Sequence, residues 1–377
     1  MKKILFFIES LSGAGAEHVL TVLIENLDKS KYDITVVTET DGEFFTDRVK
    51  NACRYKCFAK KPKNNFISKL IYSLKIKYAV TASPEKVYKK FLGKERYDVE
   101  IAFCEGYATK LIAASDNPES KKISWVHIDM ISFPWSEKMY ENKSEEKECY
   151  SKYDTICCVS ESVADSVRKK YSPPCKVLTL YNPIDTKILC EKAKSGKTWE
   201  AYDGMKIISL GRLTEQKAFD RLLRIAERLK NDGFDFKILI FGKGSEREKL
   251  DALISELNIE DNVKLMGFSD NPYRYSADSD FFVCSSLSEG FSTVATECLL
   301  LGTPVVTTDC AGMKELFGEY ECGIICNNDE ESLYEAMKKV FEDPELLRKF
   351  SENCKMRAKE FSLEKRIADV EKILDES

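Results

Sequence analysis

At 377 residues, 43% hydrophobic and 32% charged, with a net charge of −5, the chain has the make-up of a soluble globular protein. It is too long for one ordinary core, so two domains are expected. No run approaches the ~18–20 apolar residues of a spanning helix. The fourteen cysteines are scattered without a CxxC pair, which points to reduced, mostly buried thiols in a cytosolic protein.

In chain order, Met1-Lys2-Lys3 leads into Ile4-Leu5-Phe6-Phe7-Ile8. That run is too short for a secretory signal and Glu9 interrupts it, so it reads as a buried first strand. A glycine-bearing loop, a helix over 17–27 and a strand over 34–38 follow. Residues 54–96 hold thirteen Lys or Arg against two acids, Glu85 and Glu95. The local charge is +11, and the rest of the chain carries −16. Within this insertion, 66–78 mixes apolar and basic positions. It fits a surface that docks on anionic lipid or a phosphate-rich acceptor, or else a solvated helical insertion. Strands are expected at 99–103, 123–126 and 155–159, the last leading into a helix opened by Ser160 or Ser162.

Tyr181-Asn182-Pro183-Ile184-Asp185 breaks the pattern, and a polar stretch with Lys194-Ser195-Gly196-Lys197 follows. An interdomain linker is expected over 182–204. The rhythm restarts with strands at 206–210, 236–241, 263–266, 281–284 and 305–307, helices between them, and helices toward the C-terminus. Strand–helix alternation of this kind argues for parallel sheets. The fold class is therefore α/β: two doubly wound, Rossmann-like domains facing a central cleft. The N-terminal domain spans 1–190 and the C-terminal domain 205–360, with a last helix near 361–377 packing back on the first. Ligands of such sheets bind at the carboxyl ends of the strands.

The most informative segment is Ser288-Glu289-Gly290-Phe291-Ser292-Thr293-Val294-Ala295-Thr296-Glu297. It reads as strand, loop and helix start, which aims backbone N–H groups at a ligand and suits phosphate. Glu289 lies in the loop and Glu297 on the helix, so each can accept from a different sugar hydroxyl. Gly211-Arg212-Leu213-Thr214-Glu215-Gln216-Lys217 ends the first strand of the second domain. Its Arg and Lys either grip one diphosphate or are solvated loop charges. Gly242-Lys243-Gly244 is a second turn on the same edge, serving a ligand or only the turn. Ser12-Gly13-Ala14-Gly15-Ala16-Glu17 matches neither GxGxxG nor a Walker loop; it is a close-approach loop or a packing turn. His127, one of two histidines, stands at a strand end as a candidate acid–base or structural residue. Asp278-Ser279-Asp280 mimics a metal-binding DxD, but it precedes its strand and reads as turn chemistry without metal.

Together these residues resemble glycosyltransferase family 4, retaining enzymes with the GT-B fold. The resemblance rests on the Gly-Ala-Glu loop, Gly211-Arg212-Leu213 with Gln216-Lys217, Gly242-x-Gly244, Gly267-Phe268, and Glu289-x7-Glu297 followed by Gly302-Thr303-Pro304. Glu105-Gly106 and Trp125-Val126-His127 are similar to a subgroup that builds capsular, exopolysaccharide or other cell-surface glycans. The resemblance implies a hexose or N-acetylhexosamine moved from a nucleotide-diphosphate sugar, UDP favoured and GDP possible, to a lipid-linked or glycan acceptor. Arg212 and Lys217 would hold the diphosphate. Glu289 would bind the transferred sugar, Glu297 the ribose, and amides of Gly290, Phe291, Ser292, Thr293 and Val294 the sugar and phosphate. Gly211, Gly242 and Gly244 belong to the donor site, and the base would pack near Gly267 and Phe268. Gly13 and Gly15 would meet the diphosphate or acceptor, and His127 the sugar or acceptor.

The family needs no metal and no separate cofactor. Ala218 departs from the glycine usual after the lysine. Other readings are a GT-B epimerase or phosphorylase, and a non-enzymatic nucleotide-binding, membrane-docking protein. No nucleic-acid partner is implied. The expected location is cytoplasmic, peripheral on the inner face of the plasma membrane, with 54–96 against anionic lipid.

Overall fold

The computed structural model describes residues 1–13, 15–196 and 198–377. Ala14 of the glycine loop and Lys197 of the expected linker lie outside the described residues. The chain divides into two compact units, Met1–Pro183 with Glu364–Ser377, and Ile184–Leu363.

The first unit holds seven parallel strands: β1 Lys2–Phe7, β2 Tyr32–Thr40, β3 Arg54–Ala59, β4 Val99–Ala102, β5 Lys121–Val126, β6 Thr155–Cys158 and β7 Lys176–Thr179. Their order is β3-β2-β1-β4-β5-β6-β7. Strand β1 is central, in register with β2 (Ile4 opposite Ile34) and with β4 (Ile4 opposite Val99). A parallel strand covered on both faces is apolar throughout, which is why Ile4-Leu5-Phe6-Phe7 is wholly buried. The last helix, Leu363–Glu376, buries Ile367, Val370 and Leu374. Most of it joins the first unit: the Lys2 ammonium donates to the carbonyls of Leu374 (2.7 Å) and Ser377 (2.8 Å), and the Tyr32 hydroxyl donates to Asp375 (2.6 Å).

The second unit repeats the plan with β8 Met205–Leu210, β9 Phe236–Phe241, β10 Val263–Gly267, β11 Phe281–Cys284, β12 Val305–Thr308 and β13 Gly323–Cys326, ordered β10-β9-β8-β11-β12-β13. All these pairs are parallel. The helix Phe219–Asn231 buries Phe219, Leu222, Leu223, Ile225, Ala226 and Leu229, the helical spacing that turns one face to a sheet.

Both units are doubly wound, with strand order reversing beside β1 and beside β8. The helix Thr186–Ala193 lies in the second unit, packing Leu189 with Ile184 and Leu300; the boundary expected at 190 therefore moves to Pro183. Three strands lie outside the expected set: β3, β7 and β13. Each ends its sheet and is largely half-exposed, so its apolar signal is weak. All fourteen cysteines are free thiols, eight of them buried.

Candidate active site

The carboxyl edge of the second sheet gathers the loops that the sequence singles out. After β8, Gly211-Arg212-Leu213 turns into a short 3-10 segment, Glu215–Lys217. After β11, Ser285 to Gly290 leads into the helix Thr293–Leu300, whose N-cap Ser292 accepts from the Ala295 N–H. The two loops are tied together. Gln216 Nε2 donates to the Ser288 carbonyl (2.9 Å), the Leu287 N–H to the Gln216 carbonyl (2.8 Å), and Ser285 Oγ to the Lys217 carbonyl (2.8 Å).

This scaffold brings Lys217 Nζ within 2.6 Å of Glu289 Oε1, with both side chains largely buried. Ser286 Oγ donates to the same oxygen at 2.6 Å. Burial alone would lower the Lys217 pKa, but the Glu289 carboxylate outweighs it and leaves the lysine above its ordinary value. The lysine is therefore a firm cation in a low-dielectric place, where its charge acts strongly. Arg212 is exposed, and its charge opposes that of Lys217. The edge thus brings Arg212, Lys217 and the paired Glu289 carboxylate near a helix start, a setting for an anion joined to a polar, uncharged group.

Two glycines are required by close approach. A Cβ on Gly242 would sit 1.8 Å from the Gly211 carbonyl oxygen, and one on Gly244 would sit 2.2 Å from that of Leu213. The Leu213 N–H donates to the Lys243 carbonyl at 3.0 Å, so the Gly242 turn is the bed on which the Arg212 loop lies. Beside it, half-exposed Phe268 follows Gly267, with the Lys243 ammonium 4.9 Å from its ring centre. Gly290 packs its carbonyl against Gly312, where a Cβ would meet it at 2.4 Å.

Glu297 is buried on the helix that follows, and the Tyr273 hydroxyl donates to it at 3.4 Å. Burial pushes its pKa up to about 7, and Tyr273 and Lys192 only partly offset this. Ala218, directly after Lys217, has φ 45° and ψ 46°, a left-handed conformation that costs a non-glycine residue about 1 kcal/mol. The position thus has a physical demand for glycine, which this chain meets with alanine.

His127, Gly13 and Gly15 belong to the first unit. His127 follows β5, and its backbone N–H donates to Glu105 Oε2 (3.0 Å). The other Glu105 oxygen accepts from Trp135 Nε1 (3.1 Å). Burial pushes the His127 pKa down to about 3 against a hydrogen bond with the Phe103 backbone, so the ring is neutral at physiological pH. Its Nε2 is buried without a hydrogen-bond partner among the described residues. The Gly13 N–H is committed within its own loop: it donates to Glu17 Oε2 at 2.5 Å, while Ser10 Oγ donates to Glu17 Oε1 at 2.6 Å. Gly15 opens the helix Gly15–Asn26.

Sequence reasoning assigns no role to Gln216, Ser285, Ser286, Tyr273 or Glu9. Ser285-Ser286, two hydroxyls directly after a four-residue apolar strand, is the available signal. Glu9 follows β1, accepts from the Ala108 N–H (3.0 Å), and is raised to about 7 by burial, with Glu39 and Glu105 adding repulsion.

Asp278 and Asp280 stand at the amino end of β11. Asp278 pairs with Arg274 (2.9 Å) and Asp280 accepts from the Lys206 N–H (2.7 Å). A cavity of about 420 Å³ borders the same loop at Thr214, Glu215 and Ala218, but includes none of Arg212, Lys217, Glu289 or Glu297. Arg224 and Lys249 on its border pair with Asp220 and Glu246, and the candidate site is the tethered loops, which carry Arg212, Lys217 and Glu289.

Two doubly wound units with a cation-bearing loop and a two-glutamate segment at one sheet edge agree with the GT-B glycosyltransferase resemblance of the sequence, and the comparisons with known proteins show that class. Residues 193–357 match the family model described as Glycosyl transferases group 1, and residues 13–188 that of Glycosyltransferase Family 4. The chain is 32% identical over 381 residues to an N-acetylgalactosamine-N,N'-diacetylbacillosaminyl-diphospho-undecaprenol 4-alpha-N-acetylgalactosaminyltransferase of Campylobacter jejuni, covering 99% of this chain and 100% of the relative. It is 26% identical to an uncharacterized glycosyltransferase of Haemophilus influenzae, covering 99% and 100%. Among solved structures, the sucrose-phosphate synthase from Thermosynechococcus elongatus superposes with a TM-score of 0.78 at 16% identity, covering 100% of this chain and 99% of that one. Anabaena HepE, in complex with UDP and glucose, gives 0.76 at 17% with full coverage of both. The chain belongs to glycosyltransferase family 4.

Proposed function

We propose that this glycosyltransferase moves an N-acetylhexosamine or hexose, with retention, from a UDP-sugar to a lipid-linked glycan during assembly of a surface polysaccharide, capsule among the candidates. The observation that carries the reading is the buried Lys217–Glu289 pair, held on tethered loops beside exposed Arg212. The activity for which the Campylobacter jejuni relative is named supports the acceptor class and an N-acetylgalactosamine donor. The UDP in the HepE complex supports the nucleotide.

In this reading Arg212 and Lys217 receive the donor diphosphate and balance the charge that grows on the leaving oxygen. Glu289, fixed by Lys217 and Ser286, accepts from hydroxyls of the transferred sugar and faces the developing positive charge at its anomeric carbon. That carbon loses its bond to the phosphate oxygen and gains one to the acceptor oxygen on the same face. The acceptor proton passes to the departing phosphate oxygen, and nucleoside diphosphate leaves. No enzyme carboxylate is consumed as a nucleophile, so the glutamates do not form the acid and nucleophile pair of a retaining hydrolase.

Glu297 accepts from the ribose, Phe268 and Gly267 border the base, and Gly211, Gly242, Gly244 and the amides from Gly290 to Val294 shape the rest of the donor site. Neutral His127 offers Nε2 to a sugar or acceptor hydroxyl, and the loop at Gly13 and Gly15 borders the diphosphate or acceptor. The basic stretch 54–96 holds the enzyme against anionic lipid on the cytoplasmic face, where such an acceptor is presented.

The test is product analysis with UDP-N-acetylgalactosamine and an undecaprenyl-diphosphate-linked glycan. Transfer yields UDP and an acceptor one sugar heavier. A new sugar without acceptor change would establish an epimerase, and no turnover with any nucleotide sugar that binds would overturn the reading.

A further inference from the structure

The helix Phe66–Thr81 belongs to the first unit and faces two ways. Ser68, Tyr72, Ile76 and Ala79 are half-buried or buried, and only Ala79 is fully so. They recur at the spacing of one helical stripe. The Tyr107 hydroxyl donates to the Ala79 carbonyl at 3.0 Å and pins that end. The other side carries Phe66 (79% exposed), Ile67 (70%), Leu70 (47%), Ile71 (51%) and Leu74 (57%). At about 100° per residue these five fill an arc of roughly 140°. A helix facing only water places polar residues there, and a contiguous exposed apolar face marks an interaction surface.

The charge around this face selects its partner. From residue 54 to 84 there are eight Lys or Arg and no Asp or Glu. Lys60, Lys61 and Lys63 precede the helix, Lys69 and Lys75 flank the apolar arc, and Lys77 follows on the line of the arc beyond Leu74. A bilayer with anionic headgroups supplies apolar depth and negative charge in one layer. A second copy of this chain would set these lysines against one another. Asn65 caps the helix by accepting from the Ser68 N–H at 2.8 Å, so the element is formed before it meets a partner. No helix among the described residues is long and apolar enough to cross a membrane, so this one lies in the plane of the surface.

We propose that Phe66, Ile67, Leu70, Ile71 and Leu74 enter the acyl boundary of an anionic bilayer while the flanking lysines reach its phosphates. This deepens the membrane contact proposed above: the insertion is an anchor with an apolar component, beyond an electrostatic patch. It places the first unit at the depth from which a polyprenyl-linked sugar emerges.

Binding to vesicles of phosphatidylglycerol and phosphatidylethanolamine, without sugar donor or acceptor, tests it independently of the transfer reaction. The wild-type protein should retain partitioning at about 1 M salt, where surface attraction is screened. Ile67→Asn/Leu70→Asn/Leu74→Asn should lower partitioning at least ~30-fold with an unchanged melting temperature, because these side chains support no core. Lys69→Gln/Lys77→Gln should weaken binding chiefly at low salt. The emission of Ile71→Trp should shift to the blue on adding vesicles and be quenched by brominated acyl chains. Binding abolished by salt alone, or unaffected by the triple substitution, would overturn insertion. So would a lipid-free dimer that the triple substitution makes monomeric, since a second copy would then cover the face. Loss of sugar transfer with vesicle binding intact would count against the catalytic reading and leave the anchor standing.

Discussion

The two units share one topology and differ at the same edge. At the carboxyl ends of its interior strands β1, β2, β4 and β5 the first unit sets Glu9, Glu39, Glu105 and a neutral His127. The second sets Arg212, Lys217 and Lys243, with the Glu289 carboxylate paired to Lys217. The first edge suits hydroxyl groups, which need acceptors and no countercharge. The second suits a diphosphate, which needs cations fixed in place. The difference teaches that a doubly wound sheet supplies a place for ligands, and that the loops after each strand decide their chemistry.

The sharpest way to break this comparison is to discharge the second edge. Arg212→Ala and Lys217→Ala should each cut turnover ~10²-fold or more, and near-normal turnover in either would refute the diphosphate assignment. Lys217→Ala should also lower the melting temperature, because it strands a buried carboxylate. Lys217→Ala/Glu289→Ala should recover part of that loss, a coupling that Arg212→Ala, at an exposed residue, should not show.

The pH dependence tests both edges at once. Glu9 and Glu297 are each raised by burial from the ordinary value of 4.5 to about 7, so the folded state holds their protons more tightly than the unfolded chain. Their contribution is fully present below about pH 4.5 and lost as pH rises through about 7. Each amounts to a few kcal/mol at most, on the order of 1.4 kcal/mol per pH unit across that window. Urea unfolding between pH 5 and 8 should show this decline, and Glu9→Gln and Glu297→Gln should each flatten one share of it. An unchanged slope in both variants would mean that neither carboxyl is buried as described.

His127→Ala should cost roughly tenfold in turnover, the scale of one positioned hydrogen bond. With its pKa held near 3, His127 should give the rate–pH profile no inflection near 6.5. An inflection that vanishes in His127→Gln would show that the ring titrates. Ala218→Gly relieves a left-handed alanine and should change stability by less than about 1 kcal/mol, with donor affinity equal or better. The smallest expected effect is that of EDTA. Activity should survive it; abolition restored by magnesium would bring Asp278 and Asp280 back into consideration.

Much of this architecture is legible in the residues. The interior strands are, because burial on both faces leaves an unbroken apolar run such as Ile4-Leu5-Phe6-Phe7 or Phe281-Phe282-Val283-Cys284. The edge strands β3, β7 and β13 are not, because a strand with one neighbour needs only part of that run; Arg54-Tyr55-Lys56-Cys57 looks like an extension of the basic insertion. At the site, glycines and charged residues give themselves away by type and spacing. What holds them does not. The Gln216–Ser288 and Ser285–Lys217 ties join loops about seventy residues apart, and neither a serine nor a glutamine announces such a contact. Glu17 is a similar case: its motif suggests a loop open to an anion, whereas its own carboxylate accepts the Gly13 N–H.

The return of residues 364–377 to the first unit bears on how the chain is made. During synthesis the sheet built around β1 emerges first, yet Lys2, Tyr32 and Asp28 wait for Leu374, Asp375 and Glu371. The whole second unit is translated in between, so the earliest unit to form is among the last to be completed. A nascent chain of this design leaves Lys2, Asp28 and Tyr32 without these partners until residues 371–375 have been made, an interval in which an incomplete unit relies most on chaperones.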